Sequence, residues 1–143
     1  EIVDCPHSTP NYLQKDTGYY AIDTTCIELD GSISRLRNLS EIGYFERIKR
    51  LEPMPMDIVF AREGSIGLSA FIPENFKICL GQRVMLLRCA NGVLPEYLKF
   101  VITDKKYLKG LLDKHRGIGA KHVNVKDIKL SLIPIPPLSE QKR

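Results

Sequence analysis

Two short segments carry acids and lysines at the spacing used by some metal-dependent nucleases. Asp104-Lys105-Lys106 and Asp127-Ile128-Lys129 match the Asp/Glu-x-Lys half of that pattern, in which acids hold Mg²⁺ and a lysine lies near the attacking water. The other half, an upstream Pro-Asp pair, does not occur in the sequence. Because Asp-x-Lys also arises by chance in a lysine-rich chain, a metal-dependent nuclease is only an alternative interpretation. We assign no catalytic residue.

The histidines and cysteines lack the spacing of a metal site. The three histidines have neither Glu-x-x-His nor Cys-x-x-Cys neighbours, and the sequence contains neither a Gly-Lys-Ser/Thr phosphate loop nor Gly-x-Gly-x-x-Gly. The cysteines are too far apart for a zinc knuckle, and three of them lie in apolar runs. The spacing therefore predicts that the chain has no metal-binding or cofactor-binding residue. The four cysteines, Cys5, Cys26, Cys79 and Cys89, are predicted to be reduced thiols in a cytoplasmic protein.

The segment Gly64-Ser65-Ile66-Gly67 has the Gly-x-x-Gly spacing with which some modules clamp an RNA backbone. Such loops lie between helices and have basic central residues, whereas here Ser65 and Ile66 lie between two predicted strands. We therefore favour a tight turn that needs positive φ at its glycines. An RNA-binding module that uses this loop is a second alternative.

The helices and strands that must position such residues are predicted from the spacing of apolar residues and from the prolines and glycines that end an element. Ser40 is predicted to cap a short helix with an apolar stripe, and Asp30-Gly31 to form a hairpin turn. Short connections predict an antiparallel meander in the middle of the chain. The predicted strands are residues 20–29, 58–61, 68–72 and 84–89.

The C-terminal third is predicted to contain one main helix. Pro95 begins it, and apolar positions repeat at three and four residues as far as Leu112. Residues 122–125 and 127–133 are predicted to be extended, and Ser139 is predicted to cap a new helix. Together the elements predict an α/β (α+β) fold with a mixed, largely antiparallel sheet, one packed helix and the start of a C-terminal helix.

Size and charge indicate one domain with a basic C-terminal third. The chain has 143 residues, 43% of them hydrophobic, and begins without methionine, so we expect it to be a piece of a longer protein. No apolar run has the roughly 20 residues of a membrane-spanning helix. Residues 1–99 carry 11 Lys and Arg against 13 Asp and Glu, whereas residues 100–143 carry 10 against 4. Such asymmetry is typical of polyanion binding, although a solvated helix face would also produce it.

Five motifs in order along the chain resemble those of one family. They are Asp4-Cys5-Pro6-His7-Ser8-Thr9-Pro10, Asp57-Ile58-Val59-Phe60-Ala61-Arg62-Glu63-Gly64-Ser65-Ile66-Gly67, Leu80-Gly81-Gln82-Arg83, Val123-Asn124-Val125-Lys126-Asp127-Ile128 and Ile133-Pro134-Ile135-Pro136-Pro137-Leu138-Ser139-Glu140-Gln141. This order resembles a target recognition domain of the specificity subunit of a type I restriction–modification system. Met56 stands where the family often has glycine, so we expect the turn into the following strand to differ.

The resemblance implies a non-catalytic reader of duplex DNA. In the family, two recognition domains each read one half of a split site, and long helices between them dock methyltransferase subunits. S-adenosylmethionine, ATP and Mg²⁺ would belong to the methyltransferase and the restriction or motor subunits, not to this chain. Residues 1–137 would be the recognition domain, and residues 138–143 would begin the spacer helix that pairs with a second domain or a second copy.

Candidate DNA-contacting residues near the family motifs are side chains that can bind phosphates or base edges. Each also has a structural alternative, such as capping a turn or bracing a loop, and the sequence does not name the target. The candidates are His7, Thr9, Arg62, Ser65, Gln82, Arg83, Lys121, His122 and Asn124.

Overall fold

The computed structural model describes residues 1–113 and 122–142. These residues form seven strands and five α-helices. The strands are β1 (Ile2–Asp4), β2 (Tyr19–Ile22), β3 (Arg37–Asn38), β4 (Ile58–Ala61), β5 (Ser69–Phe71), β6 (Lys77–Leu80) and β7 (Val84–Leu87). The helices are α1 (Glu41–Arg47), α2 (Pro95–Thr103), α3 (Lys105–Leu112), α4 (Val125–Lys129) and α5 (Leu138–Gln141). Among the described residues, no helix combines the length and apolar character needed to cross a bilayer.

The strands form two sheets instead of one. An antiparallel sheet has the order β1-β7-β4-β5, and a mixed sheet has the order β3-β2-β6, with β2 parallel to β6. The α+β class with a mixed, largely antiparallel arrangement is therefore confirmed. The predicted meander is wrong, because β7 pairs with β4 and not with β5. Between β5 and β7 the chain also forms β6, a strand that was not predicted, and β6 lies in the other sheet. Strand β6 is apolar on both faces, so it packs between α1 and the antiparallel sheet.

Strand β4 lies at the centre of the core. Its four residues have no exposed surface. Val59 packs toward the mixed sheet with Ile22 and Ile78, while Ile58 and Phe60 pack toward the helices. Since each fully buried side chain of this size contributes about 1.5–3 kcal/mol, β4 fixes where the polar residues after it emerge.

Helix α1 begins where the sequence predicts. The Ser40 Oγ accepts a hydrogen bond from the Gly43 backbone N–H at 3.1 Å, and Glu41 lies in the first turn, where the helix dipole favours an acid. The hairpin turn is confirmed too, because Gly31 has φ +82° and its N–H donates to the Glu28 carbonyl at 3.0 Å.

The single helix predicted after Pro95 is wrong, because Asp104 divides it. Asp104 has an extended backbone, and its Oδ1 accepts hydrogen bonds from the N–H groups of Lys106 and Tyr107. Asp104 is thus the N-cap of α3, which turns away from α2. An aspartate inside a periodic pattern offers the backbone this alternative to a continuous helix.

The extended segment predicted at 127–133 is also partly wrong, since α4 occupies Val125–Lys129. His122 makes only an isolated bridge. At the C terminus, α5 begins at Leu138 as expected, but its N-cap is Pro137, and the cap predicted at Ser139 is wrong. The preceding prolines hold the chain extended up to the first helical residue, so the helix begins two residues earlier than a cap at Ser139 would place it.

Candidate nucleic-acid interface

The ends of three chain segments meet where β4 ends and β7 begins. The Arg62 N–H donates to the Arg83 carbonyl at 2.9 Å, and the Val123 N–H donates to the Arg62 carbonyl at 2.8 Å. Glu63 and His122 form an antiparallel bridge beside them. Residues that are far apart in the sequence are therefore joined by backbone hydrogen bonds.

The N-terminal loop, residues 5–9, reaches the same place. The Gln82 Nε2 donates to Thr9 Oγ1 at 3.0 Å, and the Cys5 N–H donates to the Val84 carbonyl at 3.3 Å. Arg83 has φ +61°, a left-handed conformation that turns the chain sharply between β6 and β7. Loop 5–9 and turn 80–83 thus form one surface.

A chain of charged side chains runs across this surface. Arg62 Nε lies 3.0 Å from Asp4 Oδ1, Arg62 Nη2 lies 3.2 Å from Glu63 Oε1, and Glu63 Oε2 lies 4.0 Å from Arg83 Nε. His7 Nε2 lies 3.8 Å from Asp4 Oδ2. Exposure increases from Arg62 to Arg83, because the side chain of Arg62 is 11% exposed and that of Arg83 is 64% exposed. The guanidinium of Arg83 can reach a ligand, whereas that of Arg62 is held between two carboxylates.

These side chains surround a cleft of about 190 Å³. Pockets for drug-sized molecules have about 300–1,000 Å³, so this cleft is too small for one. An open, polar cleft of this size suits the edge of a larger ligand. It is lined by Cys5, Pro6, His7, Arg62, Glu63, Gln82 and Arg83.

Ser65 lies in the tight turn between β4 and β5. Gly64 and Gly67 have φ of +69° and +94°, and the Leu68 N–H donates to the Ser65 carbonyl at 3.1 Å. The turn interpretation of this Gly-x-x-Gly segment is therefore confirmed. Ile66 packs against the helical side of the core, so one of the two central residues is not available to a ligand.

The structure thus brings together most of the predicted residues. His7, Thr9, Arg62, Gln82 and Arg83 line or border the cleft, and His122 pairs with Glu63. Asn124 follows as the N-cap of α4, and Ser65 lies two residues after Glu63, in the turn between β4 and β5. Lys121 lies outside the described residues. Whether these side chains contact DNA is a prediction that the geometry motivates.

The sequence matches the family model described as the type I restriction modification DNA specificity domain over residues 13–143. The chain belongs to this family. Among proteins of curated function, no sequence matches it significantly. The match begins after His7 and Thr9, so the N-terminal loop of this specificity domain precedes the matched region.

Two solved structures resemble the specificity domain along almost its whole length. One is described as the structural basis underlying complex assembly and conformational transition of the type I R-M system. Its TM-score is 0.66 and its sequence identity 20%, and the match covers 99% of this chain and 33% of that chain. The other is the HsdS subunit from Thermoanaerobacter tengcongensis, with a TM-score of 0.62 and 20% identity over 99% of this chain and 32% of that one. The chain spans about a third of the length of these structures. At this identity they establish the fold.

Two residues of the specificity domain that are not among the predicted contacts belong to this site, Glu63 in the surface and Arg47 beneath it. Glu63 provides a half-buried carboxylate, and it follows Arg62 directly at the strand end. Arg47 lies behind the loops, where it is 8% exposed. The sequence contains a signal for Arg47, because it stands three residues after Tyr44 and one before Ile48, within the apolar stripe of α1. An arginine in such a stripe is buried, and a buried arginine needs partners.

Two buried thiols of the specificity domain, those of Cys26 and Cys79, are not poised for nucleophilic chemistry. Burial raises the pKa of the Cys26 thiol to about 11 and that of the Cys79 thiol to about 12. A reactive thiol needs a lowered pKa and access to solvent. The described residues also contain no group of three or more acids, histidines and cysteines that could hold a metal ion.

Proposed function

We propose that this specificity domain reads one half of a split target in duplex DNA. The observation that carries the proposal is the convergence of loop 5–9, turn 80–83 and the end of β4 on one polar surface. That surface presents donors from His7 and Arg83, the Gln82 amide, which both donates and accepts, and the accepting carboxylate of Glu63. Base edges in the major groove are distinguished by such a mixture of donors and acceptors.

Three side chains of this surface have a suitable partner on a base. Arg83, which is 64% exposed, can form two parallel hydrogen bonds with guanine, and the Gln82 amide can do so with adenine. The Glu63 carboxylate can accept from the amino group of cytosine. A carboxylate is repelled by phosphates, so its presence favours base contact over a surface that binds only the DNA backbone.

Lysines of the C-terminal third would supply the affinity that is independent of sequence. Lys105, Lys106 and Lys109 are exposed on α3, and Lys126 and Lys129 are exposed on α4. Each phosphate contact releases counterions, so binding should weaken steeply as salt rises. In our proposal these lysines position the duplex while the cleft reads it.

The domain would work within a larger assembly. We propose a second recognition domain, in the same protein or in a second copy, for the other half of the site. Methyltransferase subunits that use S-adenosylmethionine and a restriction or motor subunit that uses ATP and Mg²⁺ would carry the catalysis. The specificity domain itself would have no catalytic role and would work in the cytoplasm.

Selection from a random duplex pool, with sequencing of the bound fraction, tests the proposal. We expect a short enriched sequence, and non-specific binding with a dissociation constant of roughly 10⁻⁴–10⁻⁶ M at physiological salt. Single-stranded RNA should compete poorly. Absence of any enriched sequence, preference for RNA, or Mg²⁺-dependent cleavage abolished by Asp104→Ala would overturn the proposal in favour of one of the alternatives.

A further inference from the structure

Arg47 binds with all of its donors to the two loops that form the recognition surface. Its Nε donates to the Leu80 carbonyl at 2.7 Å, and its Nη2 donates to the carbonyls of Gly81 at 2.7 Å and Pro6 at 3.4 Å. Its Nη1 donates to the Ser8 carbonyl at 3.1 Å and to Ser8 Oγ at 3.4 Å. A guanidinium has five N–H donors, so each has one acceptor here.

The acceptors are all neutral oxygens. Within residues 1–113 and 122–142, the ion pairs do not include Arg47. Arginine keeps its charge at every physiological pH, so a full positive charge is buried without a carboxylate partner. Short hydrogen bonds to carbonyl oxygens offset part of the cost of taking that charge out of water.

An apolar residue would serve α1 at lower cost if packing were the sole requirement. Tyr44 and Ile48 on the same stripe pack into the core in this way. A buried charge is weak evidence for stability, and its best-attested use is to specify one arrangement among several. Here the arrangement is that of two backbone segments, residues 6–8 and residues 80–81.

Those two segments carry the proposed base contacts. His7 lies between the two residues of the loop that Arg47 binds, and Thr9 follows them. Gln82 and Arg83 follow Gly81 directly, and Gln82 returns to Thr9 at 3.0 Å. The planar guanidinium fixes both the separation and the directions of the two segments, because each N–H points along a set line.

We propose that Arg47 is a positioning residue for DNA recognition, which holds loop 5–9 and turn 80–83 in the register that base reading needs. This inference rests on the proposed function. Arg47 contacts no DNA itself. It acts through the four side chains that it aligns, so its loss changes discrimination between sequences more than overall affinity.

The variants Arg47→Lys and Arg47→Gln, measured in the purified protein, test this proposal. Lysine keeps the charge but loses the planar fork, and glutamine loses both. Arg88→Lys is the matched control, because Arg88 also binds through a fork, to Asp57 at 2.9 and 2.7 Å and to the Glu52 carbonyl at 2.7 Å, beyond the opposite end of β7. The readouts are the ratio of affinities for the selected and a scrambled duplex, the salt dependence and the thermal midpoint.

We expect both Arg47 variants to lower the affinity ratio at least tenfold, with binding to scrambled DNA changed less than threefold. Arg88→Lys should lower the thermal midpoint and leave the ratio within twofold. An Arg47→Lys variant that keeps the wild-type ratio would overturn the proposal, as would an Arg88→Lys variant that loses the ratio equally. If the wild-type protein selects no sequence at all, the proposed function itself fails, which is a distinguishable result.

Hydrogen exchange at the arginine side chains gives a readout that needs no variant. The Arg47 Nε–H should exchange slowly in free protein and keep its chemical shift when the selected duplex is added, whereas the Nε–H of Arg83 should exchange fast and shift. Fast exchange at Arg47, or a shift as large as that of Arg83, would show that its fork does not hold the loops in the free protein or that it contacts DNA directly. Either result overturns the positioning role.

Discussion

Arg62 Nε lies 3.0 Å from Asp4 Oδ1, so an ion pair joins the residue after the central strand to the end of the first strand. The side chains are 11% and 21% exposed. The pair therefore lies under the recognition surface. Arg62 also contacts Glu63, which reaches Arg83, so this pair supports the exposed guanidinium of Arg83.

We predict that Arg62→Ala lowers the free energy of unfolding by about 2–3 kcal/mol. The value lies below the roughly 3–5 kcal/mol for breaking a fully buried pair, because Asp4 keeps some contact with water. Urea unfolding of Arg62→Ala, Asp4→Ala and the double variant measures it, and the cycle should show a coupling of at least about 1 kcal/mol. Lys49→Ala, which removes an exposed ion pair with Glu46, is the control and should change stability by less than about 0.5 kcal/mol. Additive single effects would contradict the prediction.

Arg83 and Lys121 are predicted to act on DNA in different ways. Arg83→Ala should reduce the preference for the selected duplex by about 1–3 kcal/mol at one base position. The sequence predicts that Lys121 contacts a phosphate. Lys121→Ala should therefore weaken binding to all duplexes alike and reduce the salt slope by about one unit. Titrations on selected and scrambled duplexes at two salt concentrations separate the two effects. Indistinguishable profiles would contradict both assignments.

Met56 adopts the conformation of a glycine, which makes a stabilising substitution available. Its φ is +68°, and its N–H donates to the Ile72 carbonyl at 3.1 Å, so a residue with a long side chain occupies a left-handed position in the turn into β4. A non-glycine residue costs roughly 1–2 kcal/mol in this conformation, and glycine loses part of that gain in the entropy of the unfolded chain.

We therefore expect Met56→Gly to raise the free energy of unfolding by up to about 1 kcal/mol, measured by urea unfolding. The control is Met54→Gly, two residues earlier, where φ is not positive and glycine should destabilise. If the two variants change stability in the same direction, backbone strain at Met56 is not the cause.

The sequence predicts elements well where a local signal decides the outcome. Ser40 caps α1, Pro95 begins α2, and the glycine turn between β4 and β5 forms as expected, because each depends on the local preferences of one or two residues. Prediction from the sequence fails where packing between distant segments determines which strands pair. Strand β6 is not among the predicted strands, and it joins the mixed sheet because both of its faces find apolar partners, which the pattern of neighbouring residues does not reveal.

The candidate site is predicted in part for the same reason. Arg83 and Gln82 could be chosen because they stand directly before a predicted strand, within a family motif. Arg47 was not predicted to lie beneath them, since its five acceptors are mostly backbone carbonyls of segments more than 30 residues away. Backbone acceptors leave no trace in residue types. The one available signal is the arginine's place in an apolar stripe.

Buried thiols are predicted to make the fold sensitive to alkali. The pKa of Cys79 rises from 9.0 to about 12 and that of Cys26 to about 11 because burial opposes the thiolate. Above pH 9 the unfolded chain releases these protons while the folded protein keeps them, so the unfolded state binds fewer protons and stability falls as pH rises. The loss should begin near pH 9 and continue toward pH 12.

Urea unfolding between pH 8 and pH 10 measures this effect with Cys79→Ala. The variant should be less stable at pH 8, yet its stability should fall less steeply between pH 9 and pH 10. Ile78→Val is the control, because it also removes buried volume from β6 without removing a titrating group. Parallel curves for wild type and Cys79→Ala would rule out the thiol as the source.

Gln141 is predicted to fasten the C-terminal helix to the rest of the domain. Its side chain is nearly buried, its Oε1 accepts from the Leu94 N–H at 2.8 Å, and its Nε2 donates to the carbonyls of Gly92 and Pro136, both at 2.8 Å. Gln141→Met keeps the length of the side chain but leaves these three backbone groups without their partner, so we expect a loss of about 1–3 kcal/mol in the free energy of unfolding. The Leu94 amide should also exchange its hydrogen faster in native conditions.

Lys142→Ala, at the neighbouring exposed position, should change stability by less than about 0.5 kcal/mol and leave that amide protected. Unchanged protection of Leu94 in Gln141→Met would mean that the prolines before the helix, and not Gln141, determine where the helix leaves the domain.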